Sequence, residues 1–111
     1  MGSAKIIFIH IPEYFDTISF HCQQAVEKYL KALLIHLEVE FFRTHDLIYL
    51  LEILSNKIEI SEKQFKEAFV LNNYSVQVRY PNEIILLTKE EIENAINITE
   101  NFRIFVIDKI N

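Results

Sequence analysis

The sequence predicts an all-α fold, an up-and-down antiparallel bundle of about five helices resembling a four-helix bundle, and three observations carry that reading. The 111 residues include one Gly and two Pro, too few for a sandwich or barrel, whose turns recur about every 8 to 12 residues. Half of the residues are apolar, enough to offset the ordering entropy that keeps polar chains unfolded. Apolar side chains also recur every three or four positions through stretches free of Gly and Pro, the period of a helix with one buried face. The length fits one domain, residues 1–111, of which Met1-Gly2-Ser3 reads as a cloning remnant.

Ala4 to Ile11 reads as a short apolar helix, and Pro12 suits the opening of the next element because a first turn does not need its missing N–H. From Tyr14 to Glu40 the spacing predicts one long helix. Ile18, Cys22, Ala25, Tyr29, Leu33 and Leu37 form one apolar row, and Val26, Leu30 and Leu34 form a second. At about 100° per residue the two rows cover roughly 200°, more than one neighbour requires, so this helix is expected at the centre of the bundle. Its remaining arc carries His21, Gln24, Lys28 and Lys31, with Glu27 and Glu38 at the margin.

Phe41-Phe42-Arg43 reads as a loop whose aromatics fold back on the core. Thr44 is then expected to cap a helix running to about Ser55, with Asp46 near its positive end. Ser61 and Gln64 have capping-box spacing, and Phe65, Ala68, Phe69 and Val76 supply the apolar face of a helix that Pro81 halts. Ile84 to Leu87 suits a strand or an extended apolar connector equally, four residues being too few for periodicity to decide, and is read as a connector. Thr88 and Glu91 form a second capping box for a final helix through Ile92, Ala95, Ile96, Thr99, Phe102, Val106 and Ile110.

Composition excludes several classes. A net charge of −5 gives no global attraction to nucleic acid or anionic membrane, so any polyanion contact must be local. The lone Cys22 forms no internal disulfide, no secretory leader is recognisable, and the Ile6–Ile11 stretch is far shorter than the roughly 20 residues that span a bilayer. A cytoplasmic protein is expected. Without a glycine-rich phosphate loop the common nucleotide folds are excluded, leaving recognition by side chains. No cofactor is expected, and His21 and Cys22 lack metal-ligand spacing.

His21 to Leu34, HCQQAVEKYLKALL, followed by Thr44-His45-Asp46-Leu47 and then by Tyr74 with Arg79-Tyr80-Pro81, resembles the HEPN family, named for nucleotide binding in higher eukaryotes and prokaryotes. The likeness runs from about Tyr14 to the C-terminus. It implies a small helical bundle, commonly a homodimer, often paired with a minimal nucleotidyltransferase as toxin and antitoxin. The ribonuclease branch of the family uses an Arg followed after four to six residues by a His. Here His10, His21, His36 and His45 all precede Arg79, so no catalytic residue is assigned and metal-independent RNA cleavage of that type is not implied.

The candidate ligand residues are Arg79, Tyr80, Tyr74, Gln24, Lys28 and Lys31. A guanidinium grips phosphate bidentately, and two copies across a dimer axis would concentrate positive potential. The same Arg79 would also compensate the negative end of its own helix. Tyr74 and Tyr80 would stack on a base or simply pack. Lys28, Lys31 and Gln24 would bind a phosphate or base edge, or form a solvated face with Glu27 paired to Lys31. His45 and Asp46 are neighbours that a helix turns apart, so capping explains them better than an acid–base pair. Glu90, Glu91 and Glu93 suit the positive end of the last helix. Three functions remain in view: phosphate binding at a dimer cleft, a ribonuclease with a non-standard set such as Arg79, Tyr80 and His45, and a dimerisation module without ligand.

Overall fold

The structure, a computed structural model, describes residues 15–77 and 88–111, with the side chains of 18–73 and 88–111. Among the described residues the chain forms four helices and no strand: α1 (Phe15–His36), α2 (Leu47–Leu54), α3 (Glu62–Gln77) and α4 (Lys89–Ile110). This is the all-α bundle expected. The short helix foreseen over Ala4–Ile11 and the connector Ile84–Leu87 lie outside the described residues.

Helix α1 is the hub. It packs on α2, α3 and α4, most extensively on α4, as the wide apolar arc requires. The second row, Val26, Leu30 and Leu34, is fully buried, while in the first row Ile18, Cys22 and Leu33 are buried and Ala25, Tyr29 and Leu37 only partly so. The buried residues meet Leu47, Leu50, Leu51 and Leu54 of α2, Ala68 and Leu71 of α3, and Ile92, Ala95, Ile96, Phe102 and Val106 of α4 in one continuous core. Each fully buried Leu contributes about 1.5–3 kcal/mol through the surface it removes from water.

The helix ends show where local chemistry prevails over simple periodicity. The helix expected to reach Glu40 stops at His36. Glu38 takes a left-handed φ of 58°, its N–H donates to the Ile35 carbonyl, and the Val39 N–H reaches back to the Leu34 carbonyl at 2.9 Å. Those paired bonds form a Schellman cap, closed by burying Val39 against the core. With no glycine available, a glutamate occupies the strained position. The cap of α2 is Asp46 rather than Thr44: the Asp46 carboxylate accepts the Ile48 N–H at 3.0 Å. Thr44 instead accepts the Asp46 N–H through Oγ1 at 3.0 Å, so it supports the capping residue. Both expected capping boxes are present. Ser61 and Gln64 exchange bonds of 2.9 and 3.1 Å, and so do Thr88 and Glu91.

Three apolar side chains depart from expectation. Phe69 is 58% exposed although its spacing puts it on the apolar face of α3, and Ile110 lies at the open end of α4. Phe41 does fold onto the core, but Phe42 remains 80% exposed. It lies against Tyr49, with ring centroids 6.3 Å apart, and donates its backbone N–H to the Tyr49 hydroxyl at 3.0 Å.

Glu38→Gly is expected to stabilise the chain by about 1 kcal/mol in denaturant titration, because only a residue without Cβ holds a left-handed φ at no steric cost. Leu30→Ala should cost about 2–5 kcal/mol in the same measurement, since it opens a cavity where α1 meets its neighbours.

Candidate functional site

The polar arc of α1 is present, and its residues serve different ends. Lys28 is exposed and Gln24 half-buried. Lys31 reaches one turn back to Glu27, Nζ to Oε2, at 2.9 Å, the pairing that i, i+4 spacing offers. Tyr74 falls within α3 by its backbone, while Arg79 and Tyr80 lie outside the described residues. The structure therefore describes the α1 part of the foreseen ligand set and not its guanidinium.

Around Glu27 the structure assembles a group of side chains that sequence spacing does not pair. Glu27 is buried on α1, and its second oxygen, Oε1, lies 2.8 Å from Nδ1 of His45 in the loop before α2. One turn earlier on α1, Gln23 donates Nε2 to the His45 carbonyl at 2.7 Å. From the other side, Asn72 of α3 donates Nδ2 to the Asp46 carboxylate at 3.0 Å, alongside the capping bond to Ile48. Residues 45 and 46 are thus tied to α1 and α3 at once. His45 and Asp46 bond to different helices and not to each other, as their adjacency predicts.

The electrostatics reflect these bonds. Burial alone would raise the Glu27 carboxyl, but hydrogen bonds from Lys31 and His45, with the charges of those groups, outweigh it and hold the carboxyl below the ordinary glutamate range. Glu27 is therefore an ionised acceptor. Burial pushes the Cys22 thiol up, against a weaker opposing bond with Thr99. A neutral, enclosed thiol is a core residue and not a nucleophile. Arg103, which no sequence pattern singles out, is gripped by Glu100, with Nη2 at 2.6 Å and Nε at 3.1 Å from its carboxylate. That carboxylate raises the Arg103 guanidinium above its usual range. Glu90 and Glu91 occupy the first turn of α4, where the helix dipole favours them.

Among the described residues no cluster of His, Cys, Asp or Glu could hold a metal ion, and no helix is long and apolar enough to cross a membrane. What remains is a helical bundle with a side-chain polar site on its central helix and on the loop before α2. The HEPN domain model matches residues 4–110, nearly the whole chain, and the chain belongs to the HEPN family. No curated protein and no solved structure matches it.

In the sequence, Glu27 is visible only as the partner of Lys31. Its role as anchor for His45, 18 positions away, has no local signature. The one signal is a carboxylate beside Gln23 and Leu30 on the apolar side of the arc, a position that burial makes costly unless it is partnered.

Asp46→Ala is expected to cost about 1 kcal/mol in thermal unfolding, more if the loop also detaches from Asn72. Because the folded Glu27 carboxyl titrates below its unfolded value, its contribution is complete above the ordinary glutamate range and is lost as pH falls through the lower folded value. Stability measured from about pH 5 toward pH 3 should therefore fall less steeply in Glu27→Gln than in the native chain. Cys22 should resist a thiol reagent in the folded chain and react fully once the chain is unfolded.

Proposed function

We propose that this HEPN chain is the helical partner in a toxin–antitoxin-type nucleotidyltransferase module. In this reading it works as a cytoplasmic homodimer that binds nucleotide or RNA phosphate at a cleft between copies. The observation that carries the reading is the family match over residues 4–110. The surface supports it in two ways. Lys28 and Gln24 stand on the polar arc of α1, where recognition uses side chains without a phosphate loop. Ile104 and Ile107 are exposed on α4, and Ile35 is exposed on α1, which leaves apolar surface for a second copy or a partner.

A second reading, that the chain cuts RNA with a non-standard residue set, is favoured by one observation, the His45 imidazole anchored to Glu27.

Titration of ATP, GTP and a short single-stranded RNA at low salt is expected to show binding that weakens with salt and falls about tenfold or more in Arg79→Ala. Flat, identical responses from both proteins would remove the binding claim. Light scattering at micromolar concentration should give the mass of a dimer, and a co-expressed nucleotidyltransferase of the same module should co-purify.

A further inference from the structure

Among the described residues His21, His36 and His45 are exposed, and of these His45 alone bonds a carboxylate. His21 lies against the Phe20 ring and His36 closes α1, whereas His45 Nδ1 lies 2.8 Å from Oε1 of Glu27. The other Glu27 oxygen takes the Lys31 ammonium at 2.9 Å, so this carboxylate is ionised and only accepts. Nδ1 must therefore carry the proton, and the lone pair of the neutral ring falls on Nε2.

The ring is also fixed in place. Gln23 holds the His45 carbonyl at 2.7 Å, and Asn72 holds the next residue at 3.0 Å, so the backbone that carries the imidazole is tied to α1 and α3 together. Its side chain is nevertheless 83% exposed. An imidazole whose Nδ1–H is bonded to an anion is a stronger nucleophile at Nε2, because the carboxylate compensates the positive charge that the ring gains as Nε2 forms a bond. The cations nearby define the electrophile. Lys31 shares the Glu27 carboxylate, and Arg43, exposed, stands two positions earlier on the loop; both suit the oxygens of a phosphoryl group. The Asp46 carboxylate, which would oppose one, is engaged by the Ile48 N–H and by Asn72. An acyl group on an open imidazole is soon lost to water, while a phosphoryl group on Nε2 persists at neutral pH.

We infer that His45 is a phosphoryl-acceptor site, modified on Nε2 by a donor of the phosphoramidate class, with Glu27 as its positioning residue. The Nε2 lone pair forms a bond to the donor's phosphorus. The donor's own P–N bond breaks, and its electron pair leaves on the protonated donor nitrogen, which departs as a free amine and then takes a proton from water. The Nδ1 proton stays in its bond to Glu27, and the positive charge of the substituted ring faces that carboxylate. Nothing is oxidised or reduced. The product adds about two negative charges beside Lys31 and Arg43, reversing the local charge of the loop before α2. This site goes beyond the binding of RNA or nucleotide and depends on neither.

Phosphoramidate itself is the probe. The full chain is incubated with it at neutral pH, the occupancy of each histidine is followed by peptide mass spectrometry, and phosphorus NMR identifies the ring nitrogen that carries the label. Expected is phosphorylation of His45 on Nε2 about tenfold or more faster than that of His21 and His36 in the same chain. Those two are exposed standards in the same tube, so this comparison needs no variant. Glu27→Leu, checked for folding by circular dichroism, should bring His45 down to the rate of the standards. It should also remove the preference for the Nδ1-protonated tautomer, read by nitrogen NMR of the ring, which a change confined to packing would leave in place. His45→Ala should lose the fast label. Equal rates at the three histidines, phosphorylation on Nδ1, or a folded Glu27→Leu chain labelled at the native rate would overturn the inference, and each would leave the RNA-binding reading standing.

Discussion

A carboxylate drawn out of water on the central helix constrains much of the surrounding arrangement. Glu27 sits on α1, the helix on which α2, α3 and α4 all pack, and its side chain is largely withdrawn from solvent. An unpartnered anion there would be costly. Lys31 supplies one bond from the same helix, and the other is drawn from the far end of a loop. That second bond sets where the chain lies just before α2. Asp46 comes next in the chain, closing the first turn of α2 and meeting Asn72 of α3. One buried charge therefore helps fix the start of a helix and its orientation between two others. The four buried leucines of α2 add the apolar contact that makes the position stable.

Much of this is legible in the sequence, and the limits have physical causes. Helical period marks α1, α3 and α4 because an amphipathic face is written locally, every three or four residues. Both capping boxes are legible for the same reason. The end of α1 is not, because periodicity runs on past His36 and no glycine marks the left-handed turn that Glu38 adopts. Thr44 and Asp46 are both competent caps, and burial of Leu47 decides between them, a tertiary matter. Phe42 and Phe69 are apolar residues left at the surface, which no period can reveal.

The site divides along the same line. The Lys31 to Glu27 bond is readable because it spans one turn. The bonds from Gln23 and Glu27 to the loop are not, because they join positions that only the folded bundle brings together. Tyr74, Arg79 and Tyr80 come from family likeness rather than from spacing, and Arg79 and Tyr80 stay outside the described residues.

Among the described residues the most extensive packing joins the earliest helix to the last, since α1 lies mainly against α4. Contacts between distant parts of a chain form late, because the intervening loop entropy must be overcome first. During synthesis, then, α1 leaves the ribosome with its broad greasy face open and waits for α4 to cover it. The nascent chain spends that interval vulnerable to aggregation and to chaperone capture.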